Sequence, residues 1–244
     1  MKKVVLITGA GSNLGKEIVK VFKLEGFDVY APTHSELDIT KNADCYEYTN
    51  KIIKSNHKID ILINCAGITP MGQSLEKTAD DYLKVLDINA VGPFRLTKAI
   101  VESVGKNLKI INISSLNGVV SLPNYGVYSS SKHALEAMSF ALRQELKAKN
   151  IFITSILSGA IKNEKSSIND KSYKPARDKF LLLKYLMPFI TPEEVANSVL
   201  NVAKSYRPSA QVVLGNDAKI TIFLMKMLPF SLWDRMVYYI WSRK

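Results

Sequence analysis

Short apolar runs and longer amphipathic segments alternate along this chain. The short runs are rich in β-branched residues and bounded by glycine or polar turns, which is typical of buried parallel strands. They lie at residues 3–8, 27–32, 59–63, 108–113, 151–157 and 211–214. Between most of them, apolar residues recur three and four positions apart, as on one face of a helix. This alternation predicts an α/β fold: a single-domain Rossmann fold whose doubly wound parallel sheet has about seven strands and helices on both faces.

Three helical segments have features that bear on function. Residues 78–104 read as one long helix with Asn89 inside it, and Gly92-Pro93 is expected to loosen or kink it. A second helix contains Tyr128 and buries an apolar face spaced three and four residues apart. The stretch Thr191-Pro192-Glu193-Glu194 predicts the start of a third helix, with Thr as the N-cap and Glu at the third position.

A glycine-rich turn connects the first strand to the first helix. It reads Gly9-Ala10-Gly11-Ser12-Asn13-Leu14-Gly15. Glycines let a backbone approach a pyrophosphate closely, and the N-terminus of a helix supplies N–H groups and a positive dipole end. A turn between strand and helix needs glycine in any case, so the turn alone is weak evidence. Its position directly after the first strand favours dinucleotide binding.

Tyr128 and Lys132 are four residues apart, and Ser115 precedes Tyr128 by thirteen. Residues at i and i+4 lie on one helix face, so the phenol and the ammonium are expected to be neighbours. A fixed positive charge favours the phenolate, which lets a tyrosine exchange protons near neutral pH. The competing interpretation is a surface helix with an unremarkable Tyr and Lys.

Five motifs in register resemble those of the short-chain dehydrogenase/reductase family over roughly residues 3–215. The motifs are Thr8-Gly9 with Asn13 and Gly15, Asn64-Cys65-Ala66-Gly67, Asn89, Ser115, and Tyr128 with Lys132. The resemblance implies that Tyr128 is the catalytic acid/base and that Ser115 hydrogen-bonds the substrate oxygen. It also implies that Lys132 stabilises the phenolate and holds the nicotinamide ribose, and that Asn89 anchors a proton-relaying water.

The same resemblance implies a set of cofactor contacts. These are Gly9, Gly11, Ser12, Asn13, Leu14, Gly15, Thr33, His34, Asp38, Ile39, Asn64, Ala66, Gly67, Tyr128, Lys132 and Gly159. Asn13 replaces the family's middle glycine, and Asn tolerates the left-handed conformation better than most residues. Ser158-Gly159 replaces the usual Pro-Gly and Asn163 a later Thr, which changes the loop closing over the nicotinamide. No metal site is expected.

Cofactor choice depends on the residues after the second strand. NAD-preferring relatives usually place an acid there to hold the ribose 2′-hydroxyl, and an acid would repel the 2′-phosphate of NADP. Thr33 and His34 occupy this region, so the sequence slightly favours NADP over NAD. The short link to Leu37-Asp38-Ile39-Thr40 is similar to that of dTDP-4-dehydrorhamnose reductases, which implies that Asp38 lies beside the adenine.

Composition narrows the class of protein. The apolar content of 47% with 23% charged residues is that of a globular chain. Cys45 and Cys65 form neither a disulfide framework nor a metal motif, which indicates reduced thiols in a cytoplasmic protein. The N-terminal apolar run stops at Gly9 and predicts a strand rather than a signal peptide. The net charge of +11 is not arranged as a basic stripe with aromatics, so no nucleic-acid partner is expected.

The excess positive charge lies mainly in the last third of the chain. Residues 162–184 carry seven basic residues against three acidic ones, which fits a solvated loop or a site that attracts an anionic substrate or head groups. We expect residues 1–218 to form the NAD(P)-binding catalytic domain and residues 219–244 an apolar, basic C-terminal extension. Two interpretations of the extension stay open: a peripheral membrane anchor, or a tail packed on a dimer partner or over the substrate cleft.

Two functions follow from these observations. The first is an NAD(P)-dependent oxidoreductase that acts on a small-molecule carbonyl/alcohol pair, as a homodimer or homotetramer. The second is a non-catalytic dinucleotide-binding sensor or scaffold, a class that tends to lose the Tyr or the Lys. Because Ser115, Tyr128 and Lys132 are all present, the sequence favours the enzyme. The substrate stays open between a bulky apolar molecule and a nucleotide sugar.

Overall fold

A computed structural model describes residues 2–56, 58–162 and 189–242. Within these ranges the chain forms one six-stranded parallel sheet in the order β2-β1-β3-β4-β5-β6. The strands are Val4–Ile7 (β1), Asp28–Tyr30 (β2), Ile61–Asn64 (β3), Lys109–Ile113 (β4), Phe152–Ser158 (β5) and Gln211–Leu214 (β6). The predicted α/β Rossmann architecture is confirmed, with six strands in the described residues where about seven were expected.

Eight α-helices alternate with these strands or follow them in the described residues. They are Asn13–Leu24 (α1), Asn42–Asn56 (α2), Ala79–Leu86 (α3), Gly92–Val104 (α4), Gly126–Glu145 (α5), Pro192–Lys204 (α6), Asn216–Met227 (α7) and Phe230–Ser242 (α8). Thr191 caps α6 and forms the expected reciprocal pair with Glu194.

The strands are buried on both faces because their side chains alternate between two apolar clusters. In β1, Val4 and Leu6 join one cluster, while Val5 and Ile7 join the other. The first cluster also contains apolar residues of α2 and α4, and the second contains those of α1 and α6. Helices therefore cover both faces of the sheet, as the alternation of strands and helices predicts.

The segment predicted as one long helix is interrupted at Asn89. α3 continues into a wider π-helical turn, Asp87–Val91, and α4 follows with Pro93 in its first turn. A π turn shifts the direction of the side chains that follow, and such turns are frequent at functional sites. The interruption leaves Asn89 fully buried, at the inner side of the helix.

Two helices, α7 and α8, complete the described chain. Trp233 of α8 is buried together with Leu116, Val120 and Ala218. Leu116 and Val120 belong to the segment that directly follows β4, so the C-terminal helices pack onto that segment. Over the described ranges, no helix combines the length and the apolarity that crossing a membrane requires.

The order of the strands predicts a ligand-binding crevice at their carboxyl ends, between β1 and β3. The chain passes from β1 outward to β2 and then returns to β3 on the other side of β1. In open parallel sheets, ligands bind outside the carboxyl ends of the strands at such a reversal. Most of the basic segment at 162–184, including Asn163, lies outside the described residues.

Candidate active site

The glycine turn after β1 is held tightly against the end of β3. Gly9 has a φ of 69°, and a Cβ on it would lie 2.6 Å from the backbone nitrogen of Ala66. A Cβ on Gly15 would overlap the carbonyl oxygen of Gly9. Ser12 caps α1, because its Oγ accepts a hydrogen bond from the Gly15 N–H at 3.0 Å. Gly9 and Gly15 are thus required by the packing of the turn itself.

Gly11 differs from these two glycines. No atom lies within 4 Å of the position that its Cβ would occupy, and its φ is not in the left-handed region. Gly11 is exposed beside the N-terminus of α1, whose first turn contains Asn13 and Leu14. The turn is therefore open on the side where backbone N–H groups could receive an anionic group.

This contrast gives a testable prediction for stability. Gly9→Ala should lower the free energy of unfolding by about 2 kcal/mol, because the new methyl group meets backbone atoms and the residue keeps a positive φ. Thermal or urea unfolding of the cofactor-free protein measures the change. Gly11→Ala is the matched control and should leave that stability unchanged. Equal stability of the two variants would contradict the packing described for the turn.

The segment after β3 is tied to both neighbouring strands. The Oγ1 of Thr8 accepts hydrogen bonds from the N–H groups of Cys65 and Ala66, each at 3.2 Å. Asn64 donates its side-chain amide to the Oδ1 of Asn112 on β4 at 2.8 Å. Burial raises the pKa of the Cys65 thiol to about 11, so it stays a neutral packing group. Thr8 and Asn64 thus fix the position of Ala66 and Gly67.

Asn89 joins this segment to the helix that carries Tyr128. Its amide exchanges two hydrogen bonds of 2.8 Å with the backbone N–H and carbonyl of Ile68. The same Nδ2 lies 3.0 Å from the Oγ of Ser131, the residue before Lys132. The predicted role of Asn89 in anchoring a relay water stays a prediction. Its side chain joins the segment after β3 to α5.

Lys132 is 5% exposed, and its ammonium lies at the carboxyl end of β4. The Nζ donates to the carbonyl oxygen of Ile113 at 2.8 Å and lies 5.9 Å from the centroid of the Tyr128 ring. It would also lie 3.9 Å from a Cβ on Gly67. Because an ammonium has three N–H donors, the bond to Ile113 uses only one of them. A buried positive charge is therefore held between β4, Gly67 and the phenol ring.

Ser115 is connected to the turn of α5 that carries Tyr128. The Oγ of Ser115 accepts the N–H of Asn117 at 3.1 Å, and the Oδ1 of Asn117 accepts the hydroxyl of Ser129 at 3.1 Å. The serine hydroxyl acts as an acceptor in this bond, so its own hydrogen is not used there. The predicted catalytic residues Asn89, Ser115, Tyr128 and Lys132 are thereby linked through neighbouring side chains and backbone groups.

Tyr125 is a residue of this site that the sequence did not single out. Its ring centroid lies 6.5 Å from that of Tyr128, and burial raises the pKa of its phenol. Tyr125 precedes the first residue of α5, so it is one turn away from Tyr128. The three-residue spacing of the two tyrosines was the available signal.

The region after β2 contains an acidic residue, which corrects the sequence-based premise that no acid there would repel the 2′-phosphate of NADP. An acid is present there: the Oε2 of Glu36 accepts hydrogen bonds from the N–H of Thr33 at 2.8 Å and from its hydroxyl at 2.9 Å. The backbone bond and then the hydroxyl bond hold the pKa of Glu36 below its usual value, so the carboxylate is ionised. His34 is exposed, and its Nδ1 lies 4.0 Å from the Oδ1 of Asp38.

Asp38 and Ile39 lie where the chain returns towards α2. The Oδ1 of Asp38 accepts the hydroxyl of Thr40 at 2.7 Å and its N–H at 3.0 Å, and the hydroxyl bond most strongly lowers the pKa of Asp38. Ile39 is buried, and its side chain occupies the space that a Cβ on Gly92 would need. Asp38 therefore stabilises a turn, whether or not it also contacts an adenine.

Gly159 is covered by a carboxylate that the sequence did not indicate. The Oδ2 of Asp217 accepts the N–H of Ala160 at 2.7 Å, and a Cβ on Gly159 would overlap this carboxylate. Asp217 lies in the first turn of α7, far from Gly159 in sequence, and no local pattern pairs them. This contact fixes the backbone just after β5 to the C-terminal helices.

The sequence of this chain is similar to those of known proteins. The sequence model described as short chain dehydrogenase matches residues 3–173. Dehydrogenase/reductase SDR family member 7B of Xenopus laevis is 30% identical in an alignment 266 positions long, which spans 93% of this chain and 78% of that protein. The 3-oxoacyl-(acyl-carrier-protein) reductase of Thermotoga maritima is 30% identical in an alignment 224 positions long, which spans 82% of this chain and 90% of the relative.

The fold has solved counterparts as well. The crystal structure of a short chain dehydrogenase from Burkholderia cenocepacia in complex with NADP gives a TM-score of 0.80 at 23% identity. It covers 96% of this chain and 97% of that one.

Proposed function

The chain belongs to the short-chain dehydrogenase family, and from this premise we propose that it is an NAD(P)-dependent oxidoreductase that interconverts a carbonyl and an alcohol with Tyr128 as the acid/base. One observation carries the proposal. The buried ammonium of Lys132 is bonded to the end of β4, faces the Tyr128 ring, and lies beside the segment that Asn89 holds. These groups meet at the carboxyl ends of the strands, next to the glycine turn.

Proton transfer is the part of the reaction that Tyr128 and Lys132 would perform. The charge of Lys132 is buried and therefore weakly screened, so it favours a negative charge on a nearby phenol oxygen. Tyr128 could then give its proton to a substrate oxygen in reduction and take it back in oxidation. Lys132 is positioned to support both directions, because its bond to Ile113 holds the ammonium in place.

Ser115 would stabilise the charge that develops on the substrate oxygen. Its hydroxyl accepts from Asn117, so the hydroxyl hydrogen can be donated to that oxygen. A donor already oriented towards the developing charge lowers the barrier without reorganisation during the reaction. When bound, a nicotinamide would supply the hydride in reduction and accept it in oxidation.

The cofactor would lie across the crevice between β1 and β3. The open side of the turn at Gly11 and the N-terminus of α1 are suited to the pyrophosphate. The remaining N–H groups of Lys132 are suited to the nicotinamide ribose. Ala66 and Gly67 form the wall between these two positions, since Thr8 and Asn89 fix the segment that contains them.

The choice between NADP and NAD is part of the proposal. The Burkholderia cenocepacia structure contains NADP, which supports the preference expected from the sequence. Glu36 acts against it, because its ionised carboxylate lies on Thr33, where a 2′-phosphate would approach. The two influences oppose each other, and Glu36 is the residue through which the preference can be shifted.

Glu36→Gln should shift this preference towards NADP. Removing one negative charge near a phosphate is expected to lower the Kd for NADPH about fivefold relative to the Kd for NADH. Fluorescence titration of the two reduced cofactors measures the ratio. Glu17→Gln is the matched control, because the partly exposed Glu17 on α1 pairs with Lys20, and it should leave the ratio unchanged. An unchanged ratio in Glu36→Gln would show that Glu36 does not face the 2′ position.

A substrate screen tests the proposed function as a whole. The protein is mixed with each reduced or oxidised cofactor and a panel of aldehydes, ketones, 3-oxoacyl thioesters and secondary alcohols, and nicotinamide absorbance is followed. We expect turnover of at least one carbonyl/alcohol pair. Tight cofactor binding without turnover of any panel member would favour a non-catalytic dinucleotide sensor.

A further inference from the structure

The outward face of α7 is apolar although it faces solvent. Ile220, Phe223 and Met227 are three and four residues apart and form one stripe, with Phe223 61% and Met227 66% exposed. The opposite face of the helix is the one that packs on the body, through Ala218 and its partly buried neighbours. Phe230, at the start of α8, extends the exposed apolar surface and is 82% exposed. A helix that is apolar on both faces needs a second covering surface.

Basic residues border this stripe. Lys219 and Lys226 are exposed and seven residues apart, so they lie on the same flank of the stripe, two turns from each other. The only acidic residue of α7 is Asp217, whose carboxylate bonds the backbone of Ala160. The outward face of α7 thus combines apolar side chains with positive charge and has no acidic group facing outward.

We propose that α7 and the start of α8 form a docking surface for the anionic face of a lipid bilayer. The stripe of Ile220, Phe223 and Met227 enters the boundary between head groups and acyl chains, as amphipathic helices at interfaces do. Lys219 and Lys226 extend their ammonium groups to the lipid phosphates while their methylene stems stay beside the stripe. The contact lies on the membrane surface and needs no spanning segment.

Charge favours a bilayer over a second copy of the chain as the occupant. The chain has a net charge of +11. A two-fold contact through this face would bring the Lys219 and Lys226 residues of two copies together across an apolar interface, where like charges repel strongly. An anionic lipid surface reverses the sign of that interaction, so the same lysines become attractive.

The docking surface is rigidly attached to the rest of the molecule. Trp233 packs the inner side of α8 against Leu116 and Val120, and Asp217 fixes the start of α7 to the backbone after β5. The apolar stripe is therefore already ordered before docking, which reduces the entropy lost on binding.

Co-sedimentation of the full chain with lipid vesicles tests the proposal. We expect binding to vesicles of phosphatidylcholine with about 30% phosphatidylserine, and at least about tenfold weaker binding to phosphatidylcholine alone. Phe223→Glu should weaken binding about tenfold, because it places a charge in the apolar stripe. The double variant K219E/K226E should weaken vesicle binding by a similar factor, and the remaining binding should depend little on salt concentration.

Two matched controls separate this surface from general effects. Leu24→Glu changes a 78% exposed apolar residue on α1 and should leave binding unchanged. K147E/K149E makes the same charge change as K219E/K226E, but at the amino end of β5, on the opposite edge of the sheet. It should retain vesicle binding to within about twofold if the docking surface is local.

Several outcomes would overturn the proposal. They are no sedimentation of the unaltered chain with anionic vesicles, or an equal loss of binding in K147E/K149E and K219E/K226E. Size-exclusion chromatography in which Phe223→Glu dissociates a dimer, without vesicle binding by the unaltered chain, would identify a second copy as the occupant. Circular dichroism checks that each variant is folded, and if Phe223→Glu is not, Phe223→Ser replaces it with the same expected direction.

Discussion

Tyr128→Phe is expected to lower kcat by about a thousandfold, because it removes the group that exchanges a proton with the substrate oxygen. The substitution deletes one hydroxyl and keeps the ring that faces the ammonium of Lys132 at 5.9 Å. The Kd for the reduced cofactor should therefore change by less than about twofold. Steady-state turnover and a fluorescence titration of the cofactor measure the two quantities on one preparation.

Tyr125→Phe is the control for this variant. Tyr125 is a partly buried tyrosine whose ring lies 6.5 Å from that of Tyr128, so the same atom is removed from the same neighbourhood. We expect Tyr125→Phe to retain turnover to within about threefold. If the two variants lose turnover equally, or if Tyr125→Phe loses more, then Tyr128 is not the group that transfers the proton.

Lys132→Met is expected to reduce both turnover and cofactor affinity. We expect kcat to fall by about a hundredfold, since the proposed proton transfer at Tyr128 loses the neighbouring positive charge, and the cofactor Kd to rise by about tenfold. The variant also leaves the carbonyl of Ile113 without its 2.8 Å donor, which should lower the free energy of unfolding by about 1 kcal/mol. Kinetics, cofactor titration and thermal unfolding report these effects separately.

Lys109→Met separates the functional effect from the structural one. Lys109, at the start of β4, also donates its Nζ to a backbone carbonyl, that of Ala203 at 2.7 Å, but at the opposite edge of the sheet. Partial burial, and after it the nearby charge of Lys3, lowers the pKa of Lys109. A similar loss of stability with normal turnover is expected. If Lys109→Met loses cofactor affinity and Lys132→Met does not, Lys132 is not the residue that holds the cofactor.

The sequence predicts those features that depend on short-range patterns. β6 has the predicted bounds, and Thr191 caps α6 together with Glu194. Both follow from local rules, namely a β-branched run and a capping box. The disturbance near Gly92-Pro93 was also predicted, but as a looser or kinked helix. The structure has a π turn at Asp87–Val91, and the tertiary contacts of Asn89 accompany it.

Contacts between distant residues, and the detailed geometry of turns, could not be predicted from the sequence. Asp217 covers Gly159, and nothing near either residue indicates that contact. Glu36 folds back onto Thr33 through a turn whose geometry the composition does not determine, so its acid was not counted in the cofactor argument. β2 is three residues long rather than six, and Pro32, within the predicted strand, has no N–H to donate to a ladder.

A crystal structure with bound cofactor and a carbonyl compound from the substrate screen tests the central claim most directly. The account predicts the substrate oxygen within about 3 Å of both the Tyr128 hydroxyl and the Ser115 Oγ, with the nicotinamide ring against the carbonyl carbon and its ribose at Lys132. A substrate oxygen bound away from both hydroxyls, or a nicotinamide outside the crevice between β1 and β3, would contradict it.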